Sequence, residues 1–139
     1  MKVMITGHRP PRLRGREKEV SAWIEEQLRE LNPGECINGM AMGTDQIFAN
    51  KAKEMGFPLM NVYPFKRKFH PLEEYLNENA TIVYARQNYS KQAYYERDCM
   101  MVDMADIVLA VWDGKEVGGT WLTIDYARKQ GKEMRIFNV

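Results

Sequence analysis

Short apolar runs alternate with longer amphipathic stretches from one end of this chain to the other, and that rhythm constrains the fold more than any other feature. Val3 to Ile5 form the first run, ending at Thr6-Gly7. Over residues 16–31, Val20, Trp23, Ile24, Leu28 and Leu31 recur at helical spacing. Asn32-Pro33-Gly34 stops that pattern. Residues 35–38 read as a brief strand into Gly39, and 44–55 as a helix closed by Gly56. Next come a strand over 58–63, the loop "PFKRKFHP", a short helix over 72–79 and a strand over 82–85. A helix over 92–104 precedes the clearest strand, "IVLAVW" at 107–112. The loop "DGKEVGG" then leads to a helix over 120–130 and a last strand over 135–139.

Strands separated by helices of this length need crossover connections, which make neighbouring strands parallel and cover both faces of the sheet. The expected architecture is a Rossmann-like, doubly wound α/β sheet of six strands with five helices. No composition shift or flexible linker interrupts residues 1–139, so one domain is expected. Hydrophobic residues, at 45%, supply a core, and 28% charged residues fit a soluble chain. A net charge of +1 argues against wholesale nucleic-acid coating and leaves room for a local basic patch. Cys36 and Cys99 have apolar neighbours and read as buried thiols in a reducing compartment. There is no signal-peptide core and no run of the ~18–20 apolar residues that span a bilayer. A cytoplasmic protein without membrane contact is expected.

In a sheet of this kind, ligands bind beyond the carboxyl ends of the strands, where strand order reverses. The segments there are "TGHRPPR", "GMAMGTD", "PFKRK", "ARQNY" and "DGKEVGGT". In "GMAMGTD", Gly39 permits a sharp turn and close backbone approach, and Gly43 opens a helix whose free N–H groups favour phosphate. Thr44 either caps that helix or donates its hydroxyl to the anion. Asp45 either stabilises the helix end or hydrogen-bonds a ribose hydroxyl. Taken alone, the motif fits a structural strand-to-helix turn equally well. Gly118-Gly119-Thr120 repeats the layout at another helix start, which weights the pair toward phosphate binding.

Arg9, Arg12, Arg14 and Arg16 crowd the first loop, where guanidinium groups suit an anion or simply a solvated face. His8 beside Arg9 reads either as a ligand contact or as a structural histidine. Lys66, Arg67 and Lys68 repeat the basic theme. Met100, Met101, Val102 and Met104 form an apolar helix face and read as core. No Cys, His or Asp spacing matches a zinc or EF-hand site. "GMAMGT" lacks the lysine of a Walker A loop. No metal and no cofactor is expected.

The combination of "ITGHR", "GMAMGTDQIFA", "YPF", "RDCMMVDMAD" and "WDGKEVGGTWLTIDYA", in that order, resembles the SLOG superfamily. That group contains the LOG phosphoribohydrolases and the DNA-processing protein DprA, and the branch most similar is the small bacterial and phage proteins related to YpsA. The resemblance implies a nucleotide or nucleotide-derived ligand held over the strand ends by Gly7, Arg9, Gly39, Gly43, Thr44, Asp45, Arg97, Asp113, Gly118, Gly119 and Thr120. It also implies a homodimer. In LOG enzymes an arginine on one helix and a glutamate after the glycine pair act at an N-glycosidic bond. Arg97 matches the arginine, but the glutamate position falls on Thr123, which is no carboxylate, and "KEV" replaces the usual proline.

Three functions follow as expectations. The first is a binding or sensing module for a nucleotide derivative, such as a nucleoside phosphate or an ADP-ribose-like molecule. The second is an N-glycosidic-bond hydrolase using Arg97 with Asp45, and with Asp113 nearby. The third is DprA-like nucleic-acid binding through the basic loops, with Tyr89, Tyr94 and Tyr95 as stacking platforms.

Overall fold

In the computed structural model, which describes residues 1–139, the elements run β1 (Lys2–Gly7), α1 (Pro10–Leu13), α2 (Glu17–Leu31), β2 (Glu35–Asn38), α3 (Thr44–Glu54), β3 (Leu59–Phe65), α4 (Pro71–Asn77), β4 (Thr81–Arg86), α5 (Ala93–Met104), β5 (Ile107–Trp112), α6 (Gly119–Lys129) and β6 (Glu133–Asn138). The six strands form one sheet in the order β4-β3-β2-β1-β5-β6, and every pairing is parallel. This is the expected Rossmann-like α/β architecture.

Side-chain alternation along each strand divides the core between the two faces. Val3, Ile5, Cys36, Ile107, Leu109 and Val111 meet Val20, Ile24 and Leu28 of α2, Phe48, Ala49 and Ala52 of α3, and Leu76 of α4. Met4, Ile37, Val62 and Val108 point the other way, onto Met101 and Val102 of α5 and Ala127 of α6. All six residues of β5 are buried, as a strand covered on both faces requires. Each fully buried aliphatic side chain contributes about 1.5–3 kcal/mol.

The chain steps outward from β1 to β4, then crosses back so that β5 pairs with the other side of β1. Strand order therefore reverses between β1 and β5, and the crevice opens at their carboxyl ends.

Three local features depart from the sequence expectation. The basic loop contains a sixth helix, α1, because Arg9 is extended at its N-cap and Pro10 and Pro11 preset the first helical turn. β3 continues through Pro64 to Phe65, where a loop was expected. β2 stops at Asn38, opposite Asn61, so the later residues of β3 have no ladder partner on that side and the proline is tolerated. Cys36 is buried, with its thiol pushed up to about 12 by burial, whereas Cys99 is only half-buried. No helix is long and apolar enough to cross a membrane.

Candidate functional site

The site is built from three strand-to-helix turns and one buried arginine. At the end of β1, Gly7 lies directly against α3. A Cβ at Gly7 would fall 2.4–2.6 Å from side-chain atoms of Thr44. Thr44 is fully buried, and both its backbone N–H and its hydroxyl donate to the His8 carbonyl, at 3.2 and 3.0 Å. Gly43 caps α3 at φ +91° and ψ −124°, a conformation that favours glycine, and a Cβ there would lie 2.7 Å from the His8 carbonyl oxygen. The "GMAMGTD" turn is thus locked to the β1 turn through Gly43 and Thr44. Neither the Thr44 hydroxyl nor its amide is free for an anion.

Asn38, buried at the end of β2, shapes the same turn. Its Oδ1 accepts the Met40 N–H at 2.8 Å, holding Met40 at φ +55°, and its Nδ2 donates to Asn61. Asp45 follows in the first turn of α3 and accepts the Ala41 N–H at 3.2 Å. Burial pushes its carboxyl up to about 6, against the pull of Arg97.

Arg97, on α5, forms the floor. Its side chain is 9% exposed, and its Nε donates to Asp98 at 2.7 Å. Its Nη1 donates to the Gly39 carbonyl at 2.7 Å and to the Val62 carbonyl at 3.4 Å. Nη2 has no hydrogen-bond partner within the protein. Asp98 is also within 3.2 Å of the Thr123 hydroxyl, which lies 2.9 Å from the Gly119 carbonyl. Burial raises the Asp98 pKa, with Arg97 opposing. Sequence reasoning missed Asp98. The signal available was its adjacency to Arg97, one residue before the apolar Cys99–Val102 run.

The second glycine turn behaves differently from the first. Gly118, at φ +95°, packs beside Arg12, whereas Gly119 has open space around the position of a Cβ. The Gly119 and Thr120 N–H groups at the start of α6 donate to no carbonyl. Both residues line a cleft of about 290 Å³ with Gly7, His8, Arg9, Arg12, Ala41, Asp45, Tyr94, Arg97 and Asp98.

Asp113 stands apart from this cleft. Its carboxylate takes the Arg12 guanidinium bidentately, at 3.0 and 2.9 Å, and the Lys115 N–H at 3.0 Å. Burial raises its pKa, but the Lys115 N–H, the Arg12 guanidinium and His8 outweigh that and hold it at about 2. His8 Nε2 lies 3.1 Å from the Asp113 N–H and 3.2 Å from its carboxylate. Burial lowers the His8 pKa and Arg12 adds to the effect, so the neutral ring accepts that N–H. His8, Arg12 and Asp113 therefore clasp the ends of β1 and β5 together.

The basic loops are partly committed to the fold. Arg16 donates to the Asn138 carbonyl at 2.9 Å, and Arg67 pairs with buried Glu73. Arg9 lines the cleft with no carboxylate or carbonyl partner. No group of three or more His, Cys, Asp or Glu side chains is placed to hold a metal ion.

No family model matches the sequence, and no curated protein matches it. Solved structures do match in fold. The DNA processing protein DprA from Streptococcus pneumoniae superposes with a TM-score of 0.76 at 17% identity, covering 97% of this chain and 49% of its own. DprA from Helicobacter pylori, described for its single-stranded DNA binding mode, gives 0.75 at 20% identity, covering 98% and 64%. The chain thus spans less than two thirds of either DprA. The molybdenum cofactor carrier protein of Chlamydomonas reinhardtii gives 0.70 at 12% identity, covering 97% and 74%. This chain has the Rossmann-like α/β fold that DprA and the molybdenum cofactor carrier protein share.

Proposed function

We propose that the chain binds a phosphate-bearing nucleotide or nucleotide-derived ligand in the cleft beyond β1 and β5, as a binding or sensing module. One observation carries this reading: the unpartnered Gly119 and Thr120 N–H groups of α6 share a cleft with the unpaired guanidinium of Arg9. Free amides at the positive end of a helix dipole, with a guanidinium nearby, favour a multiply charged oxygen anion. The motif resemblance to the SLOG superfamily, and to its YpsA-related branch, supports the same ligand class. DprA-like nucleic-acid binding has less support, because Arg12, Arg16 and Arg67 are already committed within the fold.

Calorimetry against AMP and ADP-ribose tests the reading. Gly119→Pro is the informative variant. Gly119 is the first residue of α6, where proline fits the helix and removes only one N–H. A hydrogen bond to a charged partner is worth about 1.5–3 kcal/mol, so affinity should fall roughly tenfold or more while the fold persists. If neither nucleotide binds and the purified protein carries no ligand, the proposal fails.

Asp98 favours a second reading, hydrolysis of an N-glycosidic bond. The resemblance places a catalytic glutamate at Thr123, and Asp98 presents its carboxylate to that threonine's hydroxyl at 3.2 Å. An ionised carboxylate beside the ribose would stabilise oxocarbenium character at C1′. Water adds to C1′ and gives up a proton to the Asp98 carboxylate, the glycosidic electron pair leaves with the base nitrogen, and Asp45 in its protonated form supplies a proton to that base. Chromatographic detection of free adenine from AMP tests this. Release that survives Asp98→Asn, or no release by the wild-type protein, excludes it.

A further inference from the structure

A second compartment of about 210 Å³ adjoins the cleft, and the two share Arg9, Ala41, Tyr94 and Arg97 as a common wall. Each alone is at or below the lower end of ordinary ligand pockets, about 300 Å³, whereas the pair falls within that range. Both parts mix charged and apolar groups. The second carries Met42, Pro64 and Tyr94 on its wall together with Gln46 and the Arg67, His70 and Glu73 cluster.

Met42 is 59% exposed and Tyr94 is 40% exposed, so two large apolar side chains stand uncovered beside a charged seam. Phe65 contacts the Tyr94 ring edge-on at 5.7 Å and steadies it. The Gln46 amide makes no hydrogen bond within the protein, leaving a donor and an acceptor for the edge of a heterocycle. At the seam, Arg97 is nine-tenths buried with Nη2 unpartnered, and Arg9 is unpaired. Two guanidinium groups without full partners, on the wall common to both compartments, match a bridging phosphate.

We infer that the ligand is a dinucleotide. Its first nucleotide occupies the cleft at α6, its linking phosphate crosses at Arg9 and Arg97, and its second nucleobase lies between Met42 and Tyr94. This rests on the nucleotide reading of the first cleft and adds the second base. Stacking of a base on an aromatic ring changes affinity by about tenfold or more.

Calorimetry with AMP, ADP-ribose, diadenosine diphosphate and the 3′,5′-linked dinucleotide pApA separates the possibilities. ADP-ribose carries the pyrophosphate and second ribose of diadenosine diphosphate without its second base. At least one dinucleotide should bind about tenfold tighter than both AMP and ADP-ribose. Met42→Ala, at an exposed position, and Gln46→Ala, at a half-buried one, should each erode that preference. AMP binding with no gain from either dinucleotide overturns the inference and leaves the first cleft's reading intact. A preference that survives both variants also overturns it, as does a short single strand that outcompetes both dinucleotides with steep salt dependence. Failure of every ligand, AMP included, removes the parent reading and this inference with it.

Discussion

The guanidinium of Arg97 occupies the space that any side chain at Gly39 would need. Its Nη1 donates to the Gly39 carbonyl at 2.7 Å, and a Cβ on Gly39 would also lie 2.7 Å from Nη1. The glycine after β2 is therefore required by a side chain 58 residues away, since the left-handed φ of this turn falls on Met40 and not on Gly39. Gly39→Ala should push Arg97 from the floor of the cleft. We expect AMP affinity to fall about tenfold or more, and stability to fall by about 1–3 kcal/mol from overpacking. Calorimetry and denaturant unfolding read the two effects separately. Unchanged affinity would show that Arg97 does not shape the site.

Gly7 and Thr44 make a second pair of this kind. Gly7→Ala would force its methyl into a fully buried threonine that is bonded to the His8 carbonyl, and should cost about 1–3 kcal/mol. Thr44→Ala removes two of the three clashing atoms but loses that hydrogen bond. The two substitutions should therefore be non-additive in unfolding experiments, with the double variant more stable than the sum predicts. Simple additivity would mean that the turns are not in contact.

Asp45 sets a pH dependence. Its carboxyl is raised from an ordinary 3.8 to about 6 by burial, so the folded state holds its proton more tightly than the unfolded chain. The stability this contributes is fully present below about pH 4 and is lost as pH rises through about 6. At about 1.4 kcal/mol per pH unit, the ceiling is about 3 kcal/mol. Asp45→Asn should remove that loss, and its stability relative to wild type should climb between pH 4 and 6.5. Parallel pH–stability curves for the two proteins would contradict the assignment.

Asp113 has the opposite sign. Its carboxyl is held at about 2, so its contribution is present above about pH 4 and is lost as pH falls toward 2. Asp113→Asn should destabilise by about 1 kcal/mol at neutral pH, because its Arg12 partner is partly exposed. Arg12→Lys should not preserve the clasp, since lysine cannot reproduce the bidentate pairing. Thermal unfolding at pH 7 checks both variants. A lysine variant as stable as wild type would reduce the clasp to simple charge attraction.

The sheet was legible in the sequence because strand and helix periods leave their marks locally. "IVLAVW" is apolar at every position and becomes a strand covered on both faces, and Val20, Ile24 and Leu28 mark the buried stripe of α2. Both glycine turns were legible too, since a turn's backbone demands are written in adjacent residues. The sequence by itself determined a parallel α/β sheet with glycine turns at its carboxyl edge. Only the tertiary structure decided what each polar group is free to do. Thr44 spends its hydroxyl on His8, Asp113 closes on Arg12 from 101 residues away, and Asp98 turns from a helix position into a cleft carboxylate beside Thr123. Arg9 keeps an unpaired charge in the cleft while Arg12 and Arg16 do not. A hydrogen-bonding group's partner is set by what folding brings within about 3 Å, and no local pattern encodes that.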